Sequence, residues 1–248
     1  MVRLLLLSCL LASCAAPPPP VATVPVAPDA AAEPAPRAAP IDCDLRPQFL
    51  AFGLPPRHQG HRPTCSICTT VAAFEFAFAS ATGRGERLSA EYLNWAANAA
   101  TGRTDDGDFF HCALAGYERF GLCSEALLPY RERFAADLVP PPDALVDGGA
   151  RLAAGRQSLQ VRWLRPNDGS RGLNPDQLTA VLAALQAGVP VAVGAAHSRL
   201  LVGYRPGTGS DDGVFLTLDS GSGSFAEVPR DYVVREICDA FVVAVRGG

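Results

Sequence analysis

The sequence predicts an α+β fold, with helices in the first half of its folded part and mostly antiparallel strands in the second. From about residue 41 the texture is globular, in a chain that is 48% hydrophobic and 19% charged. Between residues 64 and 121 lie three runs of helical period with capping residues at their ends. After residue 151 come four short β-rich runs separated by Gly, Pro and Asp turns.

The first segment reads as a targeting sequence. "MVRLLLLSCLLASC" carries one positive charge, Arg3, then a short apolar run, then small residues ending in Cys14. The run is too short to span a bilayer, which takes about 20 apolar residues, and fits a signal peptide over residues 1–13. Leu11-Ala12-Ser13-Cys14 resembles the bacterial lipoprotein signal, which implies lipidation of Cys14 and a membrane anchor in the cell envelope. Ala15 rather than Asp after that Cys implies the outer membrane. Residues 14–40 are almost all Ala, Pro and Val, too poor in core-forming residues to fold and suited to an extended, semi-rigid tether.

Residues 41–56 read as an irregular lead-in with a short strand. "TCSICTTVAAFEFAFASAT" (64–82) is a helix: Thr64 is placed to cap it, Val71, Phe74 and Phe78 share a face, and Gly83 ends it. "LSAEYLNWAANAA" (88–100) is a second helix capped by Ser89, and "DFFHCALAGYERFG" (108–121) a third, closed by Gly121. Residues 138–150, with three prolines and two glycines, read as the passage between two halves. "SLQVRWLR" alternates like a strand, and "NPDQLTAVLAALQAG" is an amphipathic helix with Asn174 as cap and Gly188 as stop. "VPVAVGAAH", "RLLVGYRP", "GVFLTLDSG" and "DAFVVAVRG" complete the β-rich half.

Composition excludes some chemistry. A net charge of −4 argues against nucleic acid, which selects a basic surface. Every basic residue is Arg, so a Schiff-base lysine or lysine general base is excluded. Setting aside Cys9 in the signal peptide and Cys14 leaves Cys43, Cys65, Cys68, Cys112, Cys123 and Cys238. In an exported chain these are candidates for disulfides, at most two if one of the six is a free nucleophile.

"RHQGHRPTCSICTTVAAFEFAF" (57–78) admits three readings. As a metal site it offers His58, His61, Cys65 and Cys68, although the two ligand pairs nearly abut where zinc sites space them by a dozen residues or more. As a redox pair it offers Cys65-Ser-Ile-Cys68 at a helix start, with Val189-Pro190 as the neighbouring proline loop. As a nucleophile it offers Cys65 at the positive end of a helix, and then needs a base, an orienting group and an oxyanion donor.

The third reading gathers support along the chain. Gln59-Gly60 stands six residues before Cys65, with a hydroxylic residue just before that Cys and a helix after it. Leu88-Ser89-Ala90-Glu91-Tyr92-Leu93 follows, then Asp106-Gly107 and an Ala-rich helix, Phe120-Gly121-Leu122-Cys123-Ser124-Glu125, and Pro129-Tyr130. Later come Gly188-x-Pro190-Val191-x-Val193, His197 with Leu201-Val202-Gly203-Tyr204, and Asp219-Ser220-Gly221. In this order, over roughly residues 50–245, the chain resembles the papain-like cysteine peptidases.

The resemblance implies a papain-like two-lobed fold over 41–248. A helical lobe (about 57–137) and an antiparallel, barrel-like β lobe (about 151–248) would leave an active-site groove between them. It implies Cys65 as nucleophile, His197 as base, Asp219 as the group that orients His197, and Gln59 with the Cys65 N–H as oxyanion donors. Cys68, one turn on, points inward to pack or to form a bridge. The implied partner is a peptide or protein substrate; no cofactor and no metal are implied. Two positions depart from the family: Ser66 stands where a Trp is usual, and Asp219-Ser220-Gly221 where Asn-Ser-Trp is usual. A charged Asp compensates for the missing shield by holding the imidazolium more strongly. Residues 15–40 are too few and too simple to fold as the inhibitory segment common in the family, so no zymogen of that type is expected. Alternatives left open are a transpeptidase or amidase using the same acyl-enzyme, an inactive binding module, and a thiol–disulfide oxidoreductase on Cys65 and Cys68. The glycines of "DSGSGS" do not make a phosphate loop, because no helix follows them and the chain has no lysine.

Overall fold

The computed structural model describes residues 42–208 and 212–247. The expected signal peptide, Cys14 and the Ala/Pro-rich tether lie outside the described residues.

A two-residue strand β1 (Cys43–Asp44) leads into a one-and-a-half-turn helix α1 (Arg46–Ala51). The long helix α2 (Cys65–Thr82) follows and stops at Gly83, whose φ of 72° suits the left-handed C-cap. Helix α3 (Ala90–Thr101) begins at Ser89, whose hydroxyl accepts from the Tyr92 N–H, and α4 (Phe110–Phe120) stops at Gly121. The stretch expected to be a passage between halves is instead a helix, α5 (Pro142–Ser158). Its prolines precede or occupy the first turn, where the missing N–H costs nothing. Its glycines permit close approach: a Cβ on Gly148 would strike the Tyr92 hydroxyl, and one on Gly155 the Tyr117 hydroxyl.

Strand β2 (Leu159–Arg165) comes next, then α6 (Pro175–Gln186) with a full capping box between Asn174 and Gln177. Strands β3 (Val191–Gly194), β4 (Arg199–Arg205) and β5 (Val214–Asp219) lie where the β-rich runs placed them. Strand β6 (Ser224–Pro229) and helix α7 (Arg230–Glu236) were not anticipated; β7 (Asp239–Val245) completes the order. The strands make one antiparallel sheet in the order β2-β7-β3-β4-β5-β6, with β1 on the far end of β4.

Strands β3, β4, β5 and β7 are buried on both faces, and strand period decides which residue faces which layer. Ala192, Leu200, Val202, Leu218 and Phe241 join Ile67, Val71 and Phe74 of α2 in the main core. Their neighbours Val191, Val193, Leu201 and Val242 join Val181 and Leu185 of α6 and Val233 of α7 on the other side. Helix α2 is long and apolar enough to cross a membrane, yet it is mostly buried within this protein. Aromatic pairs lock its packing: Phe74 on Tyr117 with ring centroids 3.9 Å apart, and Phe76 on Phe49 at 4.4 Å.

Candidate active site

Cys65 is the first residue of α2, so its N–H has no intrahelical acceptor and its sulfur sits at the positive end of the helix. Thr64 occupies the N-cap position but does not cap. At φ −97° and ψ 25° it is outside the extended region that aims a capping side chain at the first-turn amides. Its hydroxyl turns instead to the Tyr130 hydroxyl at 2.6 Å.

The loop that delivers Cys65 is fixed by two arginines. Arg62 pairs with Asp106 at 2.8 Å and with the buried Glu91, and its guanidinium lies 4.6 Å from the centre of the Tyr130 ring. Arg57 pairs with Glu75, a carboxylate 1% exposed inside α2, and with Glu125 at 3.3 Å. Gly107 passes so close to the Pro63 carbonyl that a Cβ there would overlap it.

Opposite Cys65, the β3–β4 connection presents His197. Its Nε2 is 2.8 Å from Asp219 Oδ1 at the end of β5, which leaves Nδ1 for another partner, and the thiol and the ring act on each other's ionisation. Asp219 is heavily engaged. Oδ1 also accepts from the Gly221 N–H at 2.8 Å and the Ser222 N–H at 3.3 Å, while Oδ2 accepts from Arg199 Nε at 2.8 Å. A Cβ on Gly221 would lie 3.1 Å from His197 Nε2, so this glycine rests directly against the histidine–carboxylate pair.

The electrostatics follow. Burial alone would raise the Cys65 pKa, but the bonds to His197 and Ser198 bring it below the ordinary thiol value. His197 is raised, first by its bond to Cys65, against partial burial, and further by Asp219. Burial opposes ionisation of Asp219, and the bonds from His197 and Arg199 overcome it and lower its pKa. All three shifts favour thiolate, imidazolium and carboxylate together.

Gln59 is buried beside this group. Its N–H donates to the Ser220 carbonyl at 2.9 Å, and its Oε1 accepts from the Ser220 hydroxyl at 2.7 Å. Its Nε2 donates to the Arg62 carbonyl at 2.7 Å, so the amide is clamped at both ends. The structure thus gathers Cys65, His197 and Asp219 through contacts of their own, and ties Gln59 to the turn that carries Asp219.

The other readings of the opening stretch find less support in the geometry. Among the described residues no group of three or more His, Cys, Asp and Glu is placed to hold a metal. His58 instead accepts from the Gly60 N–H at 3.0 Å. Cys68 is buried, its thiol pushed up by desolvation, and it faces away from the cleft toward Thr64 and Arg57. The six described cysteines are all free, contrary to the expected bridges. Cys68 and Cys112 pack in the main core, Cys123 in the cluster around Tyr92, and Cys43 against the α6 side.

Beside Cys65 opens a cavity of about 550 Å³, whose walls include Ser66, Gly107, Phe109, Phe110, Gly194 and Asp239. Ser66, which follows the nucleophile candidate in the chain, donates to the Asp108 carbonyl.

Arg199 and Arg62 were not singled out from the sequence, and Ser220 and Tyr130 entered only as members of the Asp219-Ser220-Gly221 and Pro129-Tyr130 runs. Arg199 had a signal: it stands two residues after His197 at a strand start, and period 2 puts such pairs on one side. Nothing local announced the partners of Ser220 and Tyr130, which are far away in the chain.

No protein-family model matches the chain, and none of the curated proteins does. Solved structures do. Procathepsin L 3 from the larval midgut of Tenebrio molitor superposes with a TM-score of 0.60 at 18% identity, over 82% of this chain and 69% of the other. Xylellain, a cysteine protease from Xylella fastidiosa, gives 0.62 at 18% over 84% and 87%. The proform of the ragweed pollen allergen Amb a 11, a cysteine protease, gives 0.59 at 18% over 86% and 68%.

Proposed function

We propose that this chain, which has the papain-like cysteine protease fold, is a peptidase working through a Cys65-His197-Asp219 triad. One observation carries the reading: a thiol at a helix start is electrostatically coupled to an imidazole that is held by a carboxylate with three further donors. The Cys65 thiolate attacks an amide carbonyl. The Cys65 N–H and the Gln59 amide hold the oxyanion, and the His197 imidazolium protonates the leaving amine. Water then takes its place, and His197 removes a proton from it as it attacks the thioester. The hydroxide adds, the C–S bond breaks, and the thiolate is regenerated.

The test is hydrolysis of a fluorogenic peptide library alongside alkylation of Cys65 by iodoacetamide. Cys65→Ser and His197→Ala each lose on the order of 1,000-fold or more in kcat/KM, as for single members of a catalytic unit. His197→Ala also slows alkylation near neutral pH. Full activity in either variant would overturn the reading. Redox activity that depends on Cys68, in the absence of hydrolysis, would replace it by an oxidoreductase.

The amino-terminal reading extends the proposal. Cys14 carries lipid and anchors the enzyme in the bacterial envelope, at the outer membrane, with residues 15–40 as tether. Metabolic labelling with an alkynyl fatty acid checks it: label is lost in Cys14→Ser.

A further inference from the structure

The cavity beside Cys65 is lined by four carboxylates, those of Asp105, Asp106, Asp108 and Asp239. Three are already matched by arginine. Asp105 and Asp108 pair with Arg103 at 2.7 and 3.4 Å, and Asp106 with Arg62 at 2.8 Å.

Asp239 is different. It is 3% exposed, and among the described residues no cation lies within 4.0 Å of its carboxylate. Its surroundings are the Asn167 amide, with Arg165 and His111 at longer range. Arg165 is spent on the Gly172 carbonyl at 2.8 Å and on Ser170. A buried carboxylate left this way is costly unless something pairs with it.

The backbone keeps this carboxylate open to the cavity. Gly194 ends β3 directly beside β7, and a Cβ on it would fall inside the Asp239 carboxylate. Its φ is not in the left-handed region, so the turn does not demand glycine; the space for Asp239 does. The same cavity wall includes Phe109, Phe110 and Ala195, apolar surface of the kind a long aliphatic stem covers.

We propose that this cavity takes a cationic side chain, Arg or Lys, of the peptide substrate, with Asp239 as its counter-charge. The proposal rests on the peptidase reading above and names its specificity. Gly194 makes the room, the aromatic wall receives the stem, and the cation reaches a carboxylate that meets the Asn167 amide but no cation at contact distance. A neutral side chain of equal length leaves that carboxylate desolvated and without a counter-charge at contact distance, so it is disfavoured.

The experiment uses the purified protein and N-acetylated fluorogenic peptides, so that the side chain is the sole cation. Arg, Lys, norleucine and Glu are scanned at each position on the acyl side of the cleaved bond. At one position Arg or Lys exceeds norleucine by about 10- to 100-fold in kcat/KM, the usual worth of a charge-assisted bond. Asp239→Asn, isosteric and uncharged, reduces that preference to about 3-fold or less, through slower cleavage of Arg and Lys peptides and faster cleavage of norleucine peptides. Gly194→Ala, which pushes a methyl into the carboxylate, also lowers the preference. Cleavage with no cation preference, or a preference intact in Asp239→Asn, overturns the proposal and leaves the peptidase reading standing. If no peptide is cleaved, calorimetric titration with agmatine decides. Binding lost in Asp239→Asn keeps the cation site although the peptidase reading has failed, and absence of binding to the native protein overturns the site.

Discussion

Asp219 accepts from His197, Arg199 and two backbone N–H groups, a set of donors that an acid satisfies and an amide does not. An Asn there must point its carbonyl at His197 and the Gly221 N–H, which turns its amide NH₂ toward Arg199 Nε, donor against donor. Asp219→Asn therefore loses on the order of 10- to 100-fold in kcat/KM, and Arg199→Gln, which supplies an acceptor, restores part of it in the double variant. A double-mutant cycle checks this; simple additivity would refute it. Arg199 also sets the pH range. The thiolate–imidazolium pair forms below the ordinary thiol value of 9.0 and persists above the ordinary imidazole value of 6.5, giving a bell-shaped kcat/KM whose limbs belong to the coupled pair. In Arg199→Gln the full charge of Asp219 faces His197, so the alkaline limb moves to higher pH. At Asp239, whose pKa is raised chiefly by desolvation, the linkage runs the other way. The native state holds that proton more tightly, so its stabilisation is present below the unfolded value of 3.8 and lost as pH rises through the folded value. Asp239→Asn escapes that loss and unfolds at a higher temperature than the native chain at pH 7, as differential scanning calorimetry would show.

The start of α2 illustrates what an element does and does not reveal of itself in the sequence. Its extent was legible from period and from Gly83, and the placement of Cys65 in the first turn came with it. The capping role of Thr64 was not, because it depends on backbone angles set by a loop held from outside by Arg62 and Tyr130. Those holds are ion pairs over long sequence separations, Arg62 to Glu91 and to Asp106, which no local pattern encodes. Arg62→Met should cost about 3–5 kcal/mol in urea unfolding, since it strands the buried Glu91. Adding Glu91→Leu recovers most of it. Helix α5 was misread because Pro and Gly were weighed by identity rather than position: Pro142 stands in the first turn, and Gly148 and Gly155 sit against tyrosines. Helix α1 escaped notice for its six-residue length and its Pro47, and β6 because all six of its residues are exposed or only partly buried.

Over the whole molecule, the helical-then-β division and the order of the β-rich runs were readable, because strands buried on both faces are near-continuous apolar runs. The positions of His197 and Asp219 at the ends of β-rich segments were readable too. Their mutual distance was not, since it is fixed by the sheet order that sets β4 between β3 and β5. The cavity carboxylate at Asp239 was equally hidden: it depends on β7 lying next to β3, so that a glycine from one opens space for an acid from the other.

Ser220 joins the loop before α2 to the turn after β5 by two bonds to one residue, its carbonyl to the Gln59 N–H and its hydroxyl to the Gln59 side chain. The amide and the carboxylate are thereby geared together: neither margin of the groove can slide without dragging the other. A peptide that wedges the cleft apart must carry both along, and Ser220→Ala lets them slip independently. Faster amide exchange at Gln59 would register that lost linkage.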